Sequence, residues 1–79
     1  MHVVIAKVDE VFFDGEASSL TAPGAEGELT VLPRHEPLIT TLKEGIVTVR
    51  PTSDISHPLE FPIAGGLLEV RHEGATVIL

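Results

Sequence analysis

Histidines and paired carboxylates are the side chains of this sequence with the types needed for chemistry. The four histidines, His2, His35, His57 and His72, lie in separate segments. None has the short spacing to another ligand that places a metal site on one helix or loop. We therefore expect surface histidines and no metal or other cofactor. The sequence also lacks HExxH, GxxxxGKS/T and GxGxxG motifs, which leaves zinc-protease and phosphate-binding mechanisms without support.

Acidic residues form two close pairs. Asp9 and Glu10 are adjacent, so on an extended chain their side chains point to opposite faces, and we interpret them as a solvated turn. Glu26 and Glu28 flank Gly27 and form a small acidic spot. General acid–base catalysis needs a carboxyl group with a raised pKa in a dry pocket, which a loop between glycines does not supply. Docking of a cation from another protein is the better functional interpretation.

Length and charge restrict what this chain can be. Its 79 residues include no cysteine and are 43% hydrophobic, so we predict a single domain, residues 1–79, held together by packing alone. A net charge of -7 argues against nucleic acids and anionic membrane surfaces as partners and favours a basic or neutral protein. The apolar stretches are far shorter than the roughly 20 residues that cross a bilayer, and the start has no signal-peptide pattern.

Glycine and proline interrupt the chain too often for long helices, and the segments between them have the length of strands. The predicted strands are Val3–Val8, Val11–Phe13, Ala17–Ala22, Gly27–Leu32, Leu38–Leu42, Ile46–Arg50, Leu59–Ile63, Leu67–His72 and Ala75–Leu79. Short strands at regular spacing with turn signals between them indicate an all-β fold. We predict a small antiparallel two-sheet β-sandwich of about eight to ten short strands.

Several positions carry more specific structural predictions. Asp14-Gly15 is the strongest hairpin signal in the chain. Pro62 places the strand Leu59–Ile63 at a sheet edge or at a position without a ladder hydrogen bond, and alternation places Phe61 inside. Gly65-Gly66 indicates a bend, a bulge or a close backbone contact.

Three strand segments are apolar on both faces: Val3–Ala6, Val11–Phe13 and Val77–Leu79. A two-sheet sandwich has one interior, so some of these side chains must face outward. If they form a contiguous exposed patch, it marks a protein interface. The alternative is that loops of the domain itself cover them.

Two segments carry a resemblance to a known family. They are Gly24–Ile46, with the sequence GAEGELTVLPRHEPLITTLKEGI, and Ile63–Val70, with the sequence IAGGLLEV. They closely resemble the epsilon subunit of F-type ATP synthase, the equivalent of the mitochondrial delta subunit. The pattern of that family is GxEGELxV/ILPxHxPL, then LKxG, then SGGFxEV and a terminal TVL. The resemblance extends from Phe13 to Ile78.

The resemblance implies a β-sandwich in the central stalk of a proton-translocating ATP synthase. It implies a non-catalytic rotor subunit that links the γ subunit to the polar loops of the c-ring and supports the coupling of proton flow to ATP synthesis. By motif, Glu26, Gly27, Glu28 and His35 are expected to contact the c-ring loops and the lower part of γ, with Glu28 facing an arginine of the loops. The implied location is peripheral, on the cytoplasmic face of the bacterial inner membrane or the matrix or stromal side in organelles, touching the membrane only through the complex.

Two departures from the family pattern affect these expectations. Arg34 occupies a position between Pro33 and His35 where the family commonly has glycine, so the turn there is expected to differ. The sequence ends at Leu79, whereas family members usually continue into a two-helix C-terminal hairpin. We therefore expect a sandwich without the helical domain, one that neither inhibits ATP hydrolysis by helix insertion nor binds nucleotide.

Two other function classes remain open from the residues. One is a small metal-dependent β-barrel enzyme that uses His35 with Glu26 and Glu28. The other is a carbohydrate- or peptide-binding module, although the sequence has neither Trp nor Tyr and so lacks the aromatic platforms on which sugars stack.

Overall fold

The computed structural model describes all residues, 1–79, and contains eight β-strands joined by turns. The strands are β1 (His2–Lys7), β2 (Glu10–Gly24), β3 (Gly27–Val31), β4 (Leu38–Leu42), β5 (Gly45–Pro51), β6 (Leu59–Ile63), β7 (Gly66–Arg71) and β8 (Gly74–Ile78). The predicted all-β class is confirmed. The structure has no helix of the length and apolarity needed to cross a membrane.

Strand pairing arranges the chain in two layers that share the long strand β2. The first layer has the order β4-β7-β8-β1 and ends on the first half of β2. The second contains β3, the second half of β2, β5 and β6. β2 crosses between the layers at a bulge between Ala17 and Ser19, where an extra residue bends the strand. All pairings are antiparallel except β1 with β8, which is parallel and which the sequence pattern did not indicate.

The hairpin predicted at Asp14-Gly15 is wrong, because the chain runs straight through these residues as part of β2. The turn lies at residues 8–9 instead. Asp14 and Gly15 pair with Val4 and Val3 of β1, so pairing with a neighbouring strand outweighs the local turn preference of an Asp-Gly dipeptide.

The core lies between the two layers and consists of one side chain in two along each strand. The fully or nearly fully buried apolar side chains are Val3, Ile5, Ala17, Leu20, Ala22, Val31, Leu42, Val47, Val49, Ile63, Leu68, Val70, Ala75 and Val77. No polar or charged side chain is buried with them. Phe61 lies at the margin rather than in the core. It is half-buried and packs edge-to-face on Phe13, with ring centroids 6.4 Å apart.

The edge position of Pro62 and the close contact at Gly65-Gly66 are confirmed. β6 pairs with β5 alone, so Pro62 lies on an edge strand. At Gly66, an added Cβ would lie 2.5 Å from the carbonyl oxygen of Ile78, so a side chain there would push β7 away from β8.

Candidate functional site

The outer side of the first layer carries a continuous row of apolar side chains. Strand register aligns Leu67 with Ile78, Ile78 with Ala6, and Ala6 with Val11. Val11 and Ile78 are 61% and 49% exposed. We call Leu67, Ile78, Ala6 and Val11 the apolar row. It crosses four adjacent strands, a span of roughly 14 Å at about 4.8 Å per strand. The outward-facing apolar side chains predicted from the sequence are therefore exposed and contiguous, and no loop covers them.

Charge increases across this face away from the apolar row. The next line of paired residues across these strands contains Ile39, which is exposed, and Val4, which pairs with Asp14. At the far edge His2 bridges two carboxylates, with Nε2 at 2.7 Å from Asp14 and Nδ1 at 3.2 Å from Glu16. The face thus has an apolar side and an ion-paired side, which defines one orientation for a partner.

The outer side of the second layer is polar by contrast. Thr21 lies between Thr30 and Thr48 in the register, and the hydroxyl oxygens of Thr21 and Thr30 are 3.0 Å apart. Ile46 is the large aliphatic side chain that this outer side exposes, and its partner in the register is Pro62. The two faces of the sandwich therefore differ in kind, and the first layer presents the apolar interaction surface.

A small apolar cavity lies where the apolar row reaches the end of the sandwich. Its volume is about 150 Å³, and Phe12, Phe61, Pro62 and Leu79 line it. Phe12 and Leu79 directly follow Val11 and Ile78 of the apolar row in the chain. The cavity has no charged side chain in its lining, so it offers shape and apolar contact but no group for acid–base chemistry.

Glu26, Gly27 and Glu28 lie together in and beside the tight turn between β2 and β3. Both carboxylates are exposed and neither forms an ion pair within the chain. Gly27 has a φ of 136°, a backbone conformation that side chains other than glycine rarely adopt. The Ala25 N–H donates to the Thr41 carbonyl at 3.0 Å, which anchors this acidic turn, residues 25–28, to β4.

His35 does not join the acidic turn. It lies in the loop between β3 and β4, after the far end of β3, and β3 spans roughly 13 Å from Gly27 to Val31 at about 3.3 Å per residue. Its Nδ1 donates to the carbonyl of Glu36 at 2.8 Å. The structure thus separates the three residues that a metal-dependent enzyme would need to bring together, and no three His, Asp or Glu side chains lie close enough to hold a metal ion.

The backbone conformation at Arg34 explains why the family pattern has glycine at this position. Its φ is 66°, and it is the one non-glycine residue with a left-handed backbone. The N–H of His35 donates to the carbonyl of Leu32 at 3.1 Å, and Pro33 precedes Arg34. These are the features of a type II β-turn, which favours proline second and glycine third. The turn is retained here with arginine in the strained place.

Replacing Arg34 with glycine is expected to raise the free energy of unfolding by up to about 1 kcal/mol, because glycine relieves the left-handed strain at a smaller cost in unfolded-chain entropy. Urea denaturation measures the change. Arg34→Lys is the matched control and should unfold at the midpoint of the parent. A lower stability of Arg34→Gly than of the parent would show that the arginine side chain itself stabilises the loop.

A third group of polar side chains lies in the loop between β5 and β6. The Ser56 hydroxyl donates to Asp54 Oδ1 at 2.7 Å, and His57 Nδ1 lies 2.8 Å from Asp54 Oδ2. These hydrogen bonds hold the pKa of the Asp54 carboxyl below its ordinary value, and the hydrogen bond from Ser56 has the largest effect. All three residues are exposed on one turn, so this Ser-His-Asp set organises the loop and has no substrate cleft beside it.

The sequence of this chain is similar to sequences of known proteins. The family model described as "ATP synthase, Delta/Epsilon chain, beta-sandwich domain" matches residues 1–79. The chain belongs to the ATP synthase delta/epsilon family. An ATP synthase epsilon chain of Herminiimonas arsenicoxydans is 40% identical over 78 residues, and one of Delftia acidovorans is 42% identical over 78 residues. Each match covers 99% of this chain and 55% of the relative, so the delta/epsilon sandwich described here spans about half the length of these proteins.

Solved structures share the fold of this delta/epsilon-family domain. A chain in the Euglena gracilis mitochondrial ATP synthase structure, described as OSCP/F1/c-ring, aligns with a TM-score of 0.85 at 24% identity, covering 96% of this chain and 48% of that one. A chain in the Tetrahymena thermophila central stalk and c-ring structure aligns with a TM-score of 0.78 at 22% identity, covering 98% of this chain and 60% of that one. The two-layer fold is therefore the fold of both chains.

Sequence reasoning located the acidic turn and three of the four residues of the apolar row. Ala6, Val11 and Ile78 fall in segments recognised as apolar on both faces. Leu67 lies in a strand predicted from the hairpin signal at Glu73-Gly74, and its outward direction follows only from its pairing with Ile78. The available signal was the Leu67-Leu68 pair, which puts one leucine on each face of a strand.

Proposed function

We propose that this delta/epsilon-family sandwich is a non-catalytic part of the ATP synthase rotor, linking γ to the c-ring and supporting the coupling of proton flow to ATP synthesis. The observation that carries the proposal is the apolar row on one outer face of a domain whose other outer face is polar. A rotor part needs a permanent protein contact, and burial of apolar surface is what stabilises such contacts. Membership of the ATP synthase delta/epsilon family indicates the kind of complex in which this contact is made.

The γ subunit is assigned to the face that carries the apolar row. The exposed side chains of Leu67, Ile78 and Val11 would lose their contact with water against a complementary apolar surface of γ. The ion-paired edge around His2 would form the polar rim, which sets orientation more than affinity. The nearby cavity lined by Phe12 and Leu79 would receive an apolar side chain of the same partner.

The acidic turn is assigned to the polar loops of the c-ring. Glu26 and Glu28 are exposed without partners inside the chain, and Glu28 would pair with an arginine of those loops. Because His35 lies beyond the other end of β3, its contact is separate from theirs and is assigned to the lower part of γ. In this arrangement the domain is peripheral to the membrane, cytoplasmic in bacteria and on the matrix or stromal side in organelles.

Size-exclusion chromatography of the chain with its cognate purified γ subunit at micromolar concentration tests the proposal. A stable one-to-one complex is the expected result, because the apolar row is formed without any further segment. Separate elution of the two proteins, both folded, would contradict the assignment of γ to this face.

Glu28→Lys is expected to weaken binding to an immobilised γ–c-ring subcomplex roughly tenfold at low salt, because a lysine there repels the loop arginine. The difference should shrink as salt screens the charges. Stability should stay within about 0.5 kcal/mol of the parent, as for most exposed substitutions. The matched control is Glu60→Lys, the same change at an exposed residue of β6. Equal binding of both variants would show that Glu28 is only a solvated surface residue.

A further inference from the structure

β3 is a strand with one free edge. It pairs with β2 and with no other strand. Pro23 has no N–H and lies opposite Glu28, so this pair is one of the non-hydrogen-bonded pairs of the ladder, and so is the pair of Thr21 with Thr30 two residues along. The backbone N–H and C=O groups of Glu28 and Thr30 therefore point away from β2. No turn or loop hydrogen bond involves these backbone groups.

β6 is the other strand with a single partner, and its free edge is protected against pairing with another chain, whereas the free edge of β3 is not. Pro62 lies opposite Ile46 in the corresponding register position, so the free edge of β6 lacks one of its donors. Proline on an edge strand is a common protection against pairing with another chain. β3 has no proline or lysine between Gly27 and Val31, and its free edge presents two donors and two acceptors.

The charges beside the free edge of β3 determine which kind of partner strand can bind there. Glu26 and Glu28 stand beside it with no cation within ion-pair distance. A second copy of the chain would bring its own two carboxylates up to these, and like charges across a strand pair are destabilising. A strand that carries Lys or Arg opposite Glu28 combines main-chain hydrogen bonds with a charge-assisted contact.

The geometry points to β3 as a docking edge that accepts an extended basic segment of a rotor partner by strand addition, with main-chain bonds to Glu28 and Thr30. This inference rests on the proposed rotor function, because that function identifies the complex that contains the basic segment. It goes beyond that function because it assigns the contact to backbone groups as well as to the carboxylate of Glu28.

Hydrogen–deuterium exchange with residue resolution, on the free chain and on its complex with cognate γ and c-ring, tests the inference. The Glu28 and Thr30 amides should exchange rapidly in the free chain and at least roughly tenfold more slowly in the complex. The Glu60 amide, on the free edge of β6, is the internal control and should remain fast. A complex that forms while both β3 amides stay unprotected overturns strand addition and leaves the rotor function standing. Failure of the folded chain to form any complex overturns both.

Thr30→Pro supplies a second measurement. It removes the N–H that points away from β2, so no bond of the β2–β3 ladder is lost. Thr30→Ala is the matched control, since it removes the hydroxyl and keeps the N–H. We expect Thr30→Pro to bind the γ–c-ring subcomplex roughly three- to tenfold more weakly than Thr30→Ala, the loss that one hydrogen bond gives. Equal binding of the two folded variants contradicts the inference. If Thr30→Pro does not fold, the exchange experiment alone decides.

Discussion

Replacing Ile78 with aspartate is expected to weaken binding to γ at least roughly hundredfold. Ile78 lies at the middle of the apolar row, between Leu67 and Ala6 in the register. Burying an unpaired carboxylate against an apolar partner costs several kcal/mol, and each 1.4 kcal/mol is a factor of ten in affinity. Isothermal titration of γ with the folded variant measures the change. It is the largest effect on function expected of a single substitution in this domain.

Ile46→Asp is the matched control for that experiment. Ile46 is 50% exposed, almost the same as Ile78 at 49%, but it lies on the outer side of the second layer. Its replacement should leave γ affinity within about twofold of the parent. If Ile46→Asp weakened binding and Ile78→Asp did not, γ would bind the other face and the assignment of the two faces would be reversed.

The largest effect on stability is expected for Leu20→Ala, at about 3 to 5 kcal/mol. Leu20 has no exposed surface and pairs with both Val31 and Val49, where β2 lies between two strands of the second layer. Truncation removes apolar contacts and leaves a cavity that close neighbours cannot fill. At roughly 0.05 to 0.15 kcal/mol per residue, a domain of this size has a total stability of only about 4 to 12 kcal/mol. The variant should therefore lose at least about a quarter of the domain's total stability.

Urea denaturation followed by circular dichroism checks this expectation. Ile39→Ala is the control, because Ile39 is 69% exposed and loses little contact when truncated; its unfolding free energy should lie within about 0.5 kcal/mol of the parent. A Leu20→Ala midpoint equal to that of Ile39→Ala would mean that the two layers can close around the missing side chain at no cost.

Most strands follow directly from local sequence. The alternation of Val47 and Val49 with polar neighbours, and of Leu29 and Val31 with Glu28 and Thr30, is found in β5 and β3 as predicted. Alternation works because side chains of a half-buried strand point in turn to the core and to water. The hairpin predicted at Asp14-Gly15 does not form, because six aligned residue pairs with β1 stabilise the extended chain more than one favourable turn would.

The two candidate surfaces were predictable to different degrees. Glu26, Gly27 and Glu28 are neighbours in the chain, so their proximity needs no tertiary information. His35 lies only seven residues after Glu28, but a full strand and a turn stand between them, and sequence distance gave no indication of that separation. The left-handed backbone of Arg34 follows from the Pro33 turn and was visible in the sequence only as a departure from the family pattern.

The sequence by itself determined the all-β class, the positions of most strands, the acidic turn and the fact that some apolar side chains must face outward. Only the tertiary structure decided which of those side chains lie together. The apolar row joins residues from β7, β8, β1 and β2. Its alignment depends on the parallel pairing of β8 with β1 and on the bulge in the pairing of β1 with β2, which places Val11 instead of Phe12 opposite Ala6. Strand register between distant segments is set by how the whole core closes, which local side-chain patterns do not encode.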